Sequence, residues 1–364
     1  MKGARYFPPA SVRAIDRYLA TLEHEELYVR RGRRSGLFCV VAVHSTVRGP
    51  SLGGCRMWAY DDARAGVRDA LRLSRAMTFK SAVAGLPLGG GKGVVMLPPD
   101  GPLDDARRRD ALLDFGDAVA QLDGRYVTAE DVGTSAEAME VIAQVTSHVS
   151  GLAVQRGGSG DPSPFTALGV LAGVEATLEQ AHGSADVAGR RIAVVGLGHV
   201  GLRLAELLAE RGAQLVVADI REERRTDAER LGATWMAPED ALTAEVDLLA
   251  PCALGGVLDH ELVPRLRTRA IAGAANNQLA DESIADLLHA RGVLWAPDFV
   301  VNAGGITNIA VELRPEGYDA GVAVVEVGRI GETLRTVFAS AAGGDVTPLT
   351  AAMELARRRL VVGP

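Results

Sequence analysis

Ile192-Ala-Val-Val195-Gly196-Leu-Gly198-His-Val-Gly201 is the stretch on which the fold turns. A short apolar, β-branched run predicts a strand, and the glycines that follow predict a tight turn into a helix over Val200 to Arg211. The first glycine permits the turn and the second lets a pyrophosphate approach the backbone. The third allows close packing of helix on strand, with the helix N-terminus facing the phosphates. A second strand, Leu215-Val-Val-Ala218, ends at Asp219, 23 residues after Gly196, near the spacing of about 20 expected for a ribose-binding acid. That carboxylate favours NAD over NADP, although Arg221 two residues on leaves a cation within reach. His199 and Val200 sit inside the loop, where they contact cofactor and do not catalyse. Further strands are predicted at Asp247–Ala250, Ala270–Ala272 and Val293–Ala296. Strands alternating with helices imply a parallel sheet covered on both faces.

Upstream the texture differs. Residues 37–44 read as a buried strand and 63–82 as a helix whose apolar stripe Ser74 interrupts. Gly85 to Gly93 reads as a loop before the strand Val94–Leu97, and 103–123 as a helix. Tyr126-Val127-Thr128 is a short strand leading to Glu130-Asp131. Gly151 to Gly160 reads as a linker, closed by Asp161-Pro162-Ser163-Pro164 as a helix start, with a helix over Phe165–Ala181. The last stretch, about 321–364, reads as mostly helical and able to pack back on the first domain.

Composition narrows the classes. With 364 residues, 48% hydrophobic and 23% charged, the chain suits two globular domains. A net charge of −7 argues against nucleic acid or anionic membrane as partner. The Arg107–Arg109 and Arg357–Arg359 clusters read as solvated helix faces. No apolar run reaches a membrane span, and the opening Met-Lys-Gly-Ala-Arg-Tyr-Phe-Pro-Pro lacks a secretory h-region, so a cytoplasmic location is expected. Cys39, Cys55 and Cys252 are too few and too scattered for a disulfide framework or a cysteine zinc site, and no histidine has a metal-ligand partner at suitable spacing. Among 39 basic residues only Lys2, Lys80 and Lys92 are lysines, and two of these fall twelve residues apart in Met77-Thr-Phe-Lys-Ser-Ala-Val-Ala-Gly-Leu-Pro-Leu-Gly-Gly-Gly-Lys92. Arginine cannot give up its proton at usable pH, whereas a partly buried lysine can. That pattern points to proton chemistry.

These residues resemble the glutamate, leucine, valine and phenylalanine dehydrogenase family, from about Gly36 to Leu360, with the leucine/valine branch nearest in texture. The likeness rests on Leu52-Gly-Gly-Cys-Arg-Met-Trp58, Met77-Thr-Phe-Lys80, Leu88-Gly-Gly-Gly-Lys92, Thr128-Ala-Glu-Asp-Val-Gly-Thr134, the Gly196 loop, Ala250-Pro-Cys-Ala-Leu-Gly255, Gly273-Ala-Ala-Asn-Asn-Gln278 and Ala296-Pro-Asp-Phe-Val-Val-Asn-Ala-Gly-Gly305. The resemblance implies an α/β fold of two domains. An N-terminal catalytic and oligomerisation domain would span 1–150, completed by C-terminal helices about 335–364, and a Rossmann NAD-binding domain 151–334, with the active site in the cleft between. It implies that Lys80 binds the substrate carboxylate with Gly53 and Gly54, that Lys92 is the catalytic lysine, and that Asp131 shuttles the nitrogen proton. Thr166, Ala274, Asn276 and Asn302 would hold the nicotinamide and the reacting end of the substrate. Leu52, Ala129, Ile306 and Ile309 would surround the substrate side chain. All four are apolar, which disfavours glutamate and suits a branched aliphatic group. Cys55 and Val311 depart from the family's usual threonine and acid. The expected activity is NAD-dependent oxidative deamination of a small apolar L-amino acid by a homo-oligomer. A phenylalanine or other aromatic substrate, or an NAD-binding regulator without turnover, are the alternatives.

Overall fold

Glycine-rich and β-branched strands build two sheets in the computed structural model, which describes residues 22–98, 101 and 103–362. Lys2 and the opening nine residues lie outside the described residues. The first sheet contains β1 (Glu26–Arg31), β2 (Phe38–Ser45), β3 (Ser51–Ala59), β4 (Gly89–Leu97) and β5 (Tyr126–Glu130), in the order β1-β2-β4-β3-β5. β1, β2 and β4 pair antiparallel, whereas β4, β3 and β5 run parallel. Its helices are α1 (Ala63–Val83), α2 (Asp105–Gln121) and α3 (Ala136–Ile142).

The second sheet is parallel throughout. It contains β6 (Arg191–Val195), β7 (Gln214–Ala218), β8 (Thr234–Trp235), β9 (Leu248–Pro251), β10 (Ala270–Ile271) and β11 (Leu294–Trp295), in the order β11-β10-β9-β6-β7-β8. The order reverses beside β6, so the Gly196 loop opens at the switch point where such sheets bind ligands. Around it lie α4 (Ser163–His182), α5 (His199–Glu210), α6 (Arg225–Arg230), α7 (Pro238–Leu242), α8 (Ser283–Ala290), α9 (Asp298–Val301), α10 (Gly304–Glu312), α11 (Ala320–Gly344) and α12 (Pro348–Val362). One apolar cluster joins the two lobes, running from Val83 and Leu86 through Ala352 and Ala356 of α12 to Leu334 and Val174.

Several local expectations are corrected. Gly89 to Gly93 is not loop but the start of β4, a buried inner strand, because the neighbours leave no space for side chains. A Cβ on Gly90 would lie 2.1 Å from the Thr78 backbone nitrogen. The buried stripe of α1 is accordingly made of small residues, Gly66, Ala70, Ser74, Thr78 and Ala82, and Ser74 belongs to it instead of interrupting it. β3 has no counterpart among the predicted strands, since adjacent glycines weaken a strand signal, yet both glycines are needed in the sheet: a Cβ on Gly53 would meet the Gly91 carbonyl oxygen at 1.7 Å. Arg359 is no solvated residue. It donates to the Ala82 and Val83 carbonyls, while Arg48 Nη1 donates to the Arg359 carbonyl at 2.7 Å, tying α12 to the end of α1. The Gly151–Gly160 segment is pinned by Glu312, which accepts from the Gly151 and Ser159 backbone amides at 3.0 Å.

Because backbone cannot move aside as a flexible side chain can, Gly53→Ala should cost about 3 kcal/mol, the upper end for overpacking. Urea denaturation followed by circular dichroism should show a lower midpoint, with the change traceable to the first lobe.

Candidate active site

The lysine at position 92 reaches its partner across β3 at the point where Gly53 and Gly54 leave that strand without side chains. Lys92 is in β4 and Asp131 follows β5 directly, with β3 between them. At Gly54 an added Cβ would fall 2.6 Å from the Asp131 Cβ, so only glycine leaves the gap open. Lys92 Nζ thereby comes within 2.8 Å of Asp131 Oδ2. The Asp131 backbone amide donates to Thr134 Oγ1 at 2.9 Å, which fixes the turn after β5. Lys80 sits in the last turn of α1, where the helix dipole favours a cation, and the close seating of α1 on β4 aims that turn at the cleft.

Burial governs the charges. Lys92 is 4% exposed. Desolvation lowers its ammonium below the usual range, Asp131 pulls it back up, and Arg56 lowers it again. Desolvation also brings Lys80 down to about 8, against the raising effect of Asp298, with repulsion from Lys92 adding to the fall. Burial alone would raise the Asp131 carboxyl, but charge and hydrogen bonds from Lys92 and Arg56 outweigh it and hold the group below the ordinary carboxylate range. Asp131 pairs with both Lys92 and Arg56.

The opposite wall suits a dinucleotide. Gly196 has φ of +104°, and a Cβ on Gly201 would meet the Gly196 carbonyl oxygen at 1.9 Å, so the turn needs both glycines. Nothing lies within 4 Å of a Cβ built on Gly198, and no side chain caps α5, so its first amides face open space. Asp219 Oδ2 accepts from the Leu197 amide at 2.7 Å, and Oδ1 from the Arg221 amide at 2.9 Å and its Nε at 3.1 Å. Asn302 donates to the Ala274 carbonyl at 3.1 Å and to Asn276 Oδ1 at 2.8 Å. Its own Oδ1 is buried without a partner among the described residues, an acceptor left for a carboxamide. These features fit NAD.

Between the walls lies a cleft of about 590 Å³ lined by Lys80, Asp131, Thr166, Asn276, Ile306 and Ile309 among others. His199, Val200, Ala274 and Asn302 also reach it. Lys92 lies behind Asp131. Leu52 and Ala129 are buried in the sheet instead of lining the cleft, with Leu52 in the same apolar cluster as Ile306. Cys55 and Val311 are buried away from the lining. Sequence reading passed over Arg56, which lies inside a quoted motif but is one arginine among many. It also passed over Asp298, whose Oδ2 accepts from the Gln278 amide at 2.7 Å and whose charge acts on Lys80.

The chain is similar to known proteins over most of its length. Residues 25–148 match the model of the Glu/Leu/Phe/Val dehydrogenase dimerisation domain, and residues 217–318 that of glutamate/leucine/phenylalanine/valine dehydrogenase. Residues 172–255 also match the NAD binding domain of D-isomer specific 2-hydroxyacid dehydrogenases. Leucine dehydrogenase of Geobacillus stearothermophilus is 41% identical over 345 residues, covering 94% of this chain and 92% of the relative. Valine dehydrogenase of Streptomyces virginiae is 42% identical over 341 residues, covering 93% and 94%. The crystal structure of L-tryptophan dehydrogenase from Nostoc punctiforme superposes with a TM-score of 0.82 at 36% identity, over 95% of this chain and 98% of that one.

Replacing the acid that restrains Arg221 should change cofactor preference. In Asp219→Ala the guanidinium is freed to meet a 2′-phosphate. Calorimetric titration should then show the NAD-to-NADP affinity ratio falling at least about tenfold, or about 1.4 kcal/mol.

Proposed function

The chain belongs to the glutamate/leucine/phenylalanine/valine dehydrogenase family and is an NAD-dependent amino-acid dehydrogenase, and from that premise we propose that its substrate is a small apolar, branched-chain L-amino acid. The observation that carries this reading is a cleft where Lys80 and Asp131 stand beside Ile306 and Ile309, with the buried Lys92 paired to Asp131 from behind. Among the described residues the lining offers no lysine or arginine beyond Lys80 for a second carboxylate, whereas the isoleucines exclude water from an aliphatic group. The balanced reaction is amino acid, water and NAD⁺ to 2-oxo acid, ammonium, NADH and a proton. The homo-oligomer expected from the dimerisation domain belongs to the same reading.

Bound NAD supplies the hydride acceptor, held by the Gly196 loop, Asp219, Thr166 and the Asn276–Asn302 pair. Lys80, kept as an ammonium by the bound carboxylate, holds that carboxylate with the Gly53 and Gly54 amides. Lys92, uncharged, takes a proton from the water that attacks the substrate's imine carbon, then as an ammonium stabilises the carbinolamine oxygen. Asp131 passes the proton that the departing nitrogen requires. A single lysine could not give and take at both atoms at once. An aromatic substrate is the second reading, supported by the Nostoc L-tryptophan dehydrogenase likeness. An extra or missing methylene in an apolar pocket changes discrimination by only about 1–3 kcal/mol, so overlapping use of leucine, valine and isoleucine is expected.

NADH absorbance with a panel of amino acids at alkaline pH tests the assignment. The highest kcat/KM should fall among leucine, valine and isoleucine; a preference for phenylalanine or tryptophan reverses the reading. Lys92→Ala should lower kcat by at least about a thousandfold while NAD affinity, read by fluorescence titration, stays unchanged.

A further inference from the structure

Asp131 shares itself between two cations, and only one of them has a part in the chemistry above. Arg56 on β3 donates from Nε to Asp131 Oδ2 at 2.9 Å, the same oxygen that Lys92 Nζ meets at 2.8 Å. Neither bond uses Oδ1, and Asp131 lines the cleft. Arg56 Nη1 in turn donates to Asp69 Oδ2 on α1 at 2.9 Å. Asp69 is held by the Tyr60 hydroxyl and by Arg72 Nη2, each at 2.8 Å. The result is a chain of alternating charge, Lys92–Asp131–Arg56–Asp69, leading from the buried base toward the surface.

The arrangement answers a conflict within the site. A carboxylate 2.8 Å from an amine stabilises the ammonium, yet a base must be able to lose that proton. Were Lys92 the sole partner of Asp131, deprotonation would leave a largely buried carboxylate without a cation, which is costly. A guanidinium stays charged throughout. We propose that Arg56 is a positioning residue for this reaction: it remains as the cation of Asp131 when Lys92 gives up its proton, and Asp69 tunes how strongly it does so.

The inference rests on Lys92 being the base proposed above. Further ionisable groups facing the pair are Lys80 on α1, Cys55 on β3, Tyr60 just after β3 and Tyr126 on β5. Lys80 adds repulsion on Lys92. Burial raises both the Cys55 thiol and the Tyr126 phenol, which therefore stay neutral. Arg56 is the permanent charge in direct contact with Asp131 beside Lys92.

The pH dependence of kcat distinguishes this role from a merely structural one. Deamination requires uncharged Lys92, so its titration forms the acid limb. Removing the guanidinium raises the proton affinity of Lys92, and Arg56→Gln should move that limb up by about one pH unit. Arg56→Lys should return it toward the wild-type position. Asp69→Asn leaves Arg56 less neutralised and should move the limb down, by about half a unit through the screened second charge. Opposite displacements in these two variants support the inference. Uniform loss of activity with unmoved limbs, or displacement in the same direction, overturns it. Should Arg56→Gln fail to fold, Asp69→Asn decides alone: a downward move supports and any other result overturns. If Lys92→Ala is inactive while these limbs stay fixed, only the role of Arg56 falls. Turnover by Lys92→Ala removes the base itself.

Discussion

An amine and a carboxylate 2.8 Å apart, with the lysine 4% exposed, set the conditions for everything else in this molecule. Burial favours a neutral amine, and the carboxylate favours a charged one. Burial and carboxylate thus act on Lys92 in opposite senses, the balance that the proposed imine hydrolysis requires. A surface pair at the same distance would remain ionised and inert. The lobes on either side exist, in physical terms, to keep this pair dry while admitting a substrate and a dinucleotide.

The scaffold meets that requirement mainly by omitting side chains. Gly53 and Gly54 clear the path across β3, Gly90 lets α1 press its Thr78 backbone against β4, and the small-residue stripe of α1 permits the approach. Lys80 is carried at the end of that helix, held in place by Arg359 of α12 and by Arg48 from the loop after β2. The positions of Lys80 and Lys92, and with them the proposed anchor and base, are therefore fixed by the same packing. On the far wall, the free amides of α5 and the unsatisfied Asn302 oxygen leave donors and an acceptor ready for the cofactor.

The Rossmann half was legible in the sequence because its signals are local: a β-branched strand, three glycines, a helix and an acid at the expected interval. The two-domain α/β architecture and the family were likewise readable from motifs in order. The first lobe was harder. Glycines in β3 and β4 mimic a loop, since the reason for them is a long-range collision that no short window contains. Ser74 looked like a break in an apolar stripe, yet in α1 smallness mattered more than hydrophobicity. The pairing of Asp131 with Arg56 depends on the register of β3 against β5, and among 36 arginines nothing marked that one.

Because the chain contains only three lysines, the central claim is open to direct observation. Carbon-13 labelling of the lysine side chains, followed by NMR titration of the intact protein with NAD bound, would report each ammonium separately. The account predicts a resonance, lost on substitution of Lys92, that titrates well below the roughly 10.4 of a free lysine. Titration of that resonance at or above the free-lysine value would contradict it.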